Sequence, residues 1–110
     1  MSPYELLQEI YHHDPWKSMV CCILLNRTKR LQVDRVRKEL FNTFQDALDM
    51  ANASPEVLAE ILQPLGFQNK RAQTLIKFSE DWVSKDWEHP SDLYGIGQYA
   101  SDSYDIFYNN

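Results

Sequence analysis

Two of the chain's three glycines, Gly95 and Gly97, flank one aliphatic residue in the stretch Leu93-Tyr94-Gly95-Ile96-Gly97-Gln98-Tyr99-Ala100. Glycine reaches positive φ and carries no Cβ, so this stretch permits a sharp reversal and a close approach of backbone to another molecule. If a helix begins just after Gly97, its first amides lack intrahelical acceptors and sit at the positive end of the helix dipole. The chemistry on offer is recognition of an anion, such as a phosphate, by backbone N–H groups. A glycine cap between two packed helices uses the same residues, and the turn alone does not separate the two readings. Other chemistry is sparse. Cys21 and Cys22 are adjacent within a helical pattern and are the chain's two cysteines. They supply no disulfide framework, no zinc spacing and no iron–sulfur ligand set. His12, His13 and His89 show neither triad nor metal-ligand spacing and read as capping or surface residues.

The rest of the chain must position that turn. At 110 residues it is the size of one domain, able to bury roughly two thirds of its unfolded surface. Apolar content of 44% with 25% charged residues is that of a folded globular protein. No apolar run approaches the ~20 residues needed to cross a bilayer. The start, Met1-Ser2-Pro3-Tyr4-Glu5, lacks the basic and apolar regions of a secretion signal, so an intracellular location is expected, nucleoid or nucleus if DNA is bound. The net charge of −5 argues against a general nucleic-acid binder, because phosphate neutralisation carries most such affinity. The distribution is uneven, however. Arg27, Lys29, Arg30, Arg35, Arg37 and Lys38 are six of the eleven basic residues, whereas from Ser79 onward Lys85 stands against seven acids.

Periodicity predicts helices throughout and no strand. Ser2-Pro3-Tyr4-Glu5 has the pattern of a capping box, opening a first helix with Leu6, Leu7, Ile10 and Tyr11 as its stripe. Asp14-Pro15 repeats the start signal ahead of Trp16, Met19, Val20, Ile23 and Leu24, and the pattern ends near Asn26-Arg27-Thr28. A third helix turns Val33, Val36, Leu40, Phe41 and Phe44 inward. Ala47–Ala51 is a short helix, and Ser54-Pro55-Glu56 caps another bearing Val57, Leu58, Ile61 and Leu62. Pro64-Leu65-Gly66-Phe67 reads as a loop. Gln68 or Asn69 then leads into a long helix with Ala72, Leu75, Ile76, Ser79, Trp82 and Val83 on one face. A short helix starts at Pro90, and the last carries Ala100, Tyr104 and Phe107. The expected fold is all-α, a compact orthogonal array of about seven or eight short helices with a helix-hairpin-helix near the C-terminus.

Five segments in one order extend the signal: His13-Asp14-Pro15-Trp16-Lys17, Leu25-Asn26-Arg27-Thr28, Pro64-Leu65-Gly66-Phe67, Lys70-Arg71-Ala72 and the glycine hairpin. In these the chain resembles the helix-hairpin-helix (HhH-GPD) superfamily of base-excision DNA glycosylases, and within it the glycosylase domains of the methyl-CpG-binding domain protein 4 type. The resemblance covers nearly the whole of residues 1–110, read as one domain. It implies removal of thymine or uracil mispaired with guanine, with double-stranded DNA as partner. Flipping a base requires a wedge for the gap and a pocket for its polar edge. The resemblance places Arg27 in the vacated space, Phe67 beside the orphaned guanine, Gln8 and Tyr99 in the base pocket, and a DNA phosphate on Gly95, Ile96 and Gly97. Bifunctional relatives place a lysine at the position of Tyr99, so the monofunctional branch, with water as nucleophile, is implied.

The same resemblance puts the catalytic aspartate in a loop after the second hairpin helix, past Asn110. Asp102 and Asp105 lie on the hairpin helix and do not match it. These 110 residues are therefore expected to bind without excising. A non-enzymatic interaction module reusing the fold is the alternative. No cofactor is expected, although hairpin carbonyls in this superfamily can hold a monovalent cation. Gln98, Glu88 and Asp105 stand where relatives often carry basic residues, so a negative field is expected around the phosphate grip. The family's closing helices are also missing, so an uncovered apolar stripe over helices 1 and 2 is expected to favour a protein partner or self-association.

Overall fold

The computed structural model describes residues 10–84 and 86–108, without the side chains of Tyr99, Ser103 and Phe107. Among them are six α-helices: α1 (Pro15–Leu24), α2 (Arg30–Thr43), α3 (Ala47–Ala51), α4 (Pro55–Leu62), α5 (Gln68–Ser84) and α6 (Gln98–Tyr108). Two 3₁₀ turns, Gln63–Leu65 and Pro90–Asp92, complete the helical segments, and the described residues contain no strand. The all-α expectation holds. The helix expected to start at Pro90 is a single 3₁₀ turn, and the one expected to open at Ser2 lies outside the described residues.

Local chemistry sets the boundaries. Asp14 caps α1 by accepting the Lys17 amide at 3.0 Å, with Pro15 preset at the first helical position. Asp46 caps α3 through the Asp49 amide at 2.9 Å. Pro55 opens α4, where the Ser54 hydroxyl donates to Glu56 rather than to the backbone. Pro64 begins the 3₁₀ turn that ends α4, and Gly66, at φ +76°, reverses the chain into α5.

Helices α3 and α4 pack along α5, while α1 lies between α2, α5 and α6. Met19, Val20 and Leu24 of α1, Val33 and Leu40 of α2, Met50, Leu58 and Leu62, and Leu75 and Phe78 of α5 are all fully buried in one core. Its edge is aromatic. Trp16 and Tyr11 meet the Phe41 ring edge-on, and Trp82 bridges Phe78 and Trp87. At the far end of the chain, the Tyr108 hydroxyl donates to the Tyr11 carbonyl at 3.2 Å and ties α6 to the segment before α1. The Cα radius of gyration, 12.7 Å, is that of a single domain of this length, for which about 13 Å is usual.

Two inward assignments are corrected. Val57 and Val83 are both 46% exposed, Val83 on the lip of a shallow depression shared with Leu48 and Trp82. The expected uncovered stripe also fails on α1, since Trp16 and Val20 are buried in the chain's own core and Ile23 packs against it. Ile10, 49% exposed, is what the described residues leave of that stripe.

The basic run is split by geometry. Arg30 and Arg37 both pair with Asp34, at 3.0 and 2.8 Å, and Arg37 also donates to the Tyr11 hydroxyl at 2.9 Å. Burial alone would raise the Asp34 pKa, but the hydrogen bonds from Arg37 and Arg30 outweigh it and hold it below its ordinary value. Arg27, Lys29, Arg35 and Lys38 remain exposed.

Ser79, read in the sequence as an inward residue of α5, is fully buried because its hydroxyl accepts the Trp16 indole N–H at 3.0 Å. Ser79→Ala leaves that donor buried and unpaired, and we expect a loss of roughly 1–3 kcal/mol in urea unfolding. Adding Trp16→Phe, which removes the stranded N–H, should cost less than the sum of the two single changes. Strict additivity would mean that the bond contributes nothing.

Candidate nucleic-acid interface

One face of α5 gathers the site. Arg71, Thr74, Lys77 and Asp81 recur at intervals of three or four residues, beside the buried face of Ala72, Leu75, Phe78 and Ser79. Each of the four meets a loop. The Asp81 carboxylate accepts the Tyr94 amide at 2.9 Å, and the Lys77 ammonium lies 5.1 Å from the centre of the Tyr94 ring. Gly95, at φ +84°, lies so close to Thr74 that a Cβ there would fall 2.9 Å from the threonine Cγ2. The glycine hairpin is thereby fixed on α5.

Arg71 holds two further loops. Its Nε donates to the Gly66 carbonyl at 2.9 Å. Its terminal nitrogens donate to the carbonyls of Leu24 and Asn26, at 3.4 and 3.3 Å, and to the Thr28 hydroxyl at 2.7 Å. These acceptors are all neutral oxygens, and partial burial lowers the guanidinium's pKa from its ordinary value. Arginine remains charged under any ordinary condition.

The loops so held carry the two residues expected to enter a duplex. Arg27 (φ +60°) and Phe67 (φ +49°) are the two non-glycine residues at positive φ among those described, and both are exposed, Phe67 by 71%. Such conformations cost of order 1–3 kcal/mol each and persist where the surroundings over-determine them. A single exposed apolar side chain is ordinary; what sets Phe67 apart is its place with Arg27 on the wall of one cleft.

Between these loops lies an open cleft of about 720 Å³. Arg27, Phe67, Lys70, Gly95 and Gly97 line it, with Cys22 and Ile23 of α1 among its apolar residues. The N-terminus of α6 opens on it, and the Gly97 carbonyl accepts the first helical bond, from the Ser101 amide at 3.1 Å. Among the described residues, Arg27, Lys70 and Arg71 line the cleft, and neither a carboxylate nor a histidine does.

Of the residues expected to give a negative field, Gln98 lines the cleft, whereas Glu88 and Asp105 do not. Asp105 accepts from His89 Nε2 at 2.7 Å, while His89 Nδ1 accepts the Ser91 amide and so caps the 3₁₀ turn. Asp102 accepts from the Gln98 side chain at 2.8 Å. His89 lies off the cleft wall, whereas Gln98 lines it. Tyr99 lies on α6 between Gln98 and Ala100, which both line the cleft; Gln8 lies outside the described residues. Among the described residues no three His, Cys, Asp or Glu side chains form a metal site. No described helix is long and apolar enough to cross a membrane.

Residues 20–104 match the model of the HhH-GPD superfamily of base excision DNA repair proteins, which spans the cleft and the hairpin together. The chain belongs to this superfamily. Among HhH-GPD relatives, it is 39% identical over 108 residues to the methyl-CpG-binding domain protein 4-like protein of Arabidopsis thaliana, covering 98% of this chain and 24% of that protein. It is 34% identical over 95 residues to the thymine/uracil-DNA glycosylase of Pyrobaculum aerophilum, covering 80% of this chain and 41% of that protein. The chain therefore spans less than half the length of either relative. A solved structure of a thermostable thymine-DNA glycosylase superposes with a TM-score of 0.81 over 89% of this chain and 49% of its own. At 20% identity, that likeness speaks for the fold.

The sequence pointed to the hairpin, Arg27 and Phe67 but gave no role to the residues that hold them. Lys70-Arg71-Ala72 was part of the resemblance without a function for Arg71, and Thr74, Lys77 and Asp81 were not singled out. The available signal was a polar stripe at helical spacing beside the apolar face of α5.

The three glycines of this HhH-GPD domain should respond differently to alanine. Gly95→Ala combines positive φ with a clash on Thr74 and should cost more than the ~1–2 kcal/mol of the left-handed conformation alone. Gly66→Ala, with open space around it, should cost about that conformational amount, and Gly97→Ala, with neither problem, should be near neutral. Chemical denaturation of the three variants tests the order. A Gly97→Ala variant as damaged as Gly95→Ala would contradict the hairpin geometry.

Proposed function

We propose that residues 1–110 are the duplex-gripping part of a monofunctional, mismatch-specific glycosylase that removes thymine or uracil opposite guanine. The observation that carries this reading is the single cleft shared by Arg27, Phe67 and the Gly95–Gly97 hairpin. The hairpin amides and the dipole of α6 hold a backbone phosphate, with Lys70 and Lys77 adding positive charge nearby. Arg27 fills the space left by the flipped base, and its planar guanidinium stacks on neighbouring bases. Phe67 packs beside the orphaned guanine. Gln8 and Tyr99 read the polar edge of the extruded pyrimidine with an amide and a phenol.

Cleaving the glycosidic bond by water needs a carboxylate to stabilise the oxocarbenium-like sugar and to activate the nucleophile. The cleft among the described residues has no such group on its wall. The 110 residues are accordingly proposed to bind and open the duplex without excising the base.

Fluorescence anisotropy with G·T and fully paired duplexes tests this. If about three cationic contacts carry the affinity, binding should weaken about 40-fold between 50 and 200 mM salt. Arg27→Ala should lose about tenfold on the G·T duplex, an amount equivalent to ~1.4 kcal/mol, and less on the paired one. A time course on labelled G·T and G·U duplexes should show no excision. Salt-independent binding indifferent to Arg27→Ala would overturn the proposed grip, and excision by the 110 residues would overturn the proposed division of labour.

A further inference from the structure

We propose that Arg71 is a positioning residue that couples the Arg27 and Phe67 loops, so that the two side chains meet a duplex as one unit. The inference rests on the functional reading above for the meaning of the two loops, but its structural basis is independent. The guanidinium is a rigid planar fork of five donors. Here it spans two loops far apart in sequence, gripping the residues on either side of Arg27 through the Asn26 carbonyl and the Thr28 hydroxyl. It also holds the residue before Phe67 through the Gly66 carbonyl, while its own amide donates to the Phe67 carbonyl at 2.8 Å. Both positive-φ residues are therefore pinned by one side chain and its backbone. Moving either loop displaces the fork and weakens its bonds to the other. Lysine offers three donors from a single point and does not reach both loops at once.

Hydrogen exchange on the free chain tests the coupling without DNA. The amides of Asn26, Thr28 and Gly66 each bond to a backbone carbonyl and report on the two loops. Arg71→Lys should deprotect all three by about tenfold or more, with Leu75 and Phe78 on α5 unchanged. Thr28→Val, which removes the bond from Arg71 and the hydroxyl's own bond to the Asn26 carbonyl, both on one loop, should also deprotect Gly66 on the other. Deprotection confined to residues 26–28 would overturn the proposal, and this variant decides the matter even if Arg71→Lys fails to fold.

The second arm measures G·T duplex binding for Arg27→Ala, Phe67→Ala and the pair. In the wild-type background the combined loss should depart from the product of the single losses by about fivefold or more, and in Arg71→Lys it should match the product within about twofold. A simple product in the wild-type background would overturn the proposal. If the wild-type chain binds no duplex, the functional reading falls, and the exchange arm still decides whether Arg71 couples the loops.

Discussion

The polar face of α5 is the frame on which the cleft is built, and Arg71 is its central constraint. Its guanidinium bonds to four neutral oxygens, three of them backbone carbonyls, from residues 24–28 and 66. Each loop has backbone bonds of its own, and the guanidinium adds the bonds that join the two left-handed turns to one another. Farther along the same face, Thr74 contacts Gly95, Lys77 lies over Tyr94, and Asp81 accepts the Tyr94 amide. One helix, anchored by Leu75, Phe78 and Ser79 in the core, thus touches all three loops. Sites built on regular elements keep their geometry better than sites carried by loops alone.

An acidic protein can present a cationic cleft when its acids are spent elsewhere. Asp34 pairs with Arg30 and Arg37, Asp105 accepts from His89, Asp102 accepts from Gln98, and none of these three acids lines the cleft. The described lining of the cleft keeps Arg27, Lys70 and Arg71, beside the positive end of α6. Local field, rather than net charge, is what a phosphate meets at contact distance. The net charge of −5 acts at longer range, where it lowers non-specific affinity for DNA and favours sites that offer shape as well as charge.

The sequence was most legible where periodicity and capping speak for themselves. Asp14-Pro15 and Ser54-Pro55 mark helix starts, and the inward stripes of α1 and α2 are buried as expected except for Ile23, which is half-buried. Of the two glycines expected to permit the hairpin reversal, Gly95 takes a positive φ and Gly97 does not, while Gly66 takes one in the Pro64–Phe67 loop. Val57 and Val83 were misplaced because each helix stripe is wider than the neighbour that covers it, so edge positions stay half in solvent. Arg71 escaped notice for a different reason. Three of its four partners are backbone carbonyls, and carbonyls have no residue type to read in a sequence. Net charge likewise does not show which charged side chains line the cleft, because that depends on the fold.

The central claim is that Arg27, Phe67 and the hairpin face one duplex from one cleft. The most direct measurement is the set of backbone amide shifts of the labelled chain titrated with a G·T duplex. The account predicts shifts at residues 25–28, 66–70 and 94–98 that saturate together, with α3 and the exposed face of α4 unmoved. Shifts confined to α3 and α4, or a hairpin that responds while residues 25–28 and 66–67 stay silent, would contradict it.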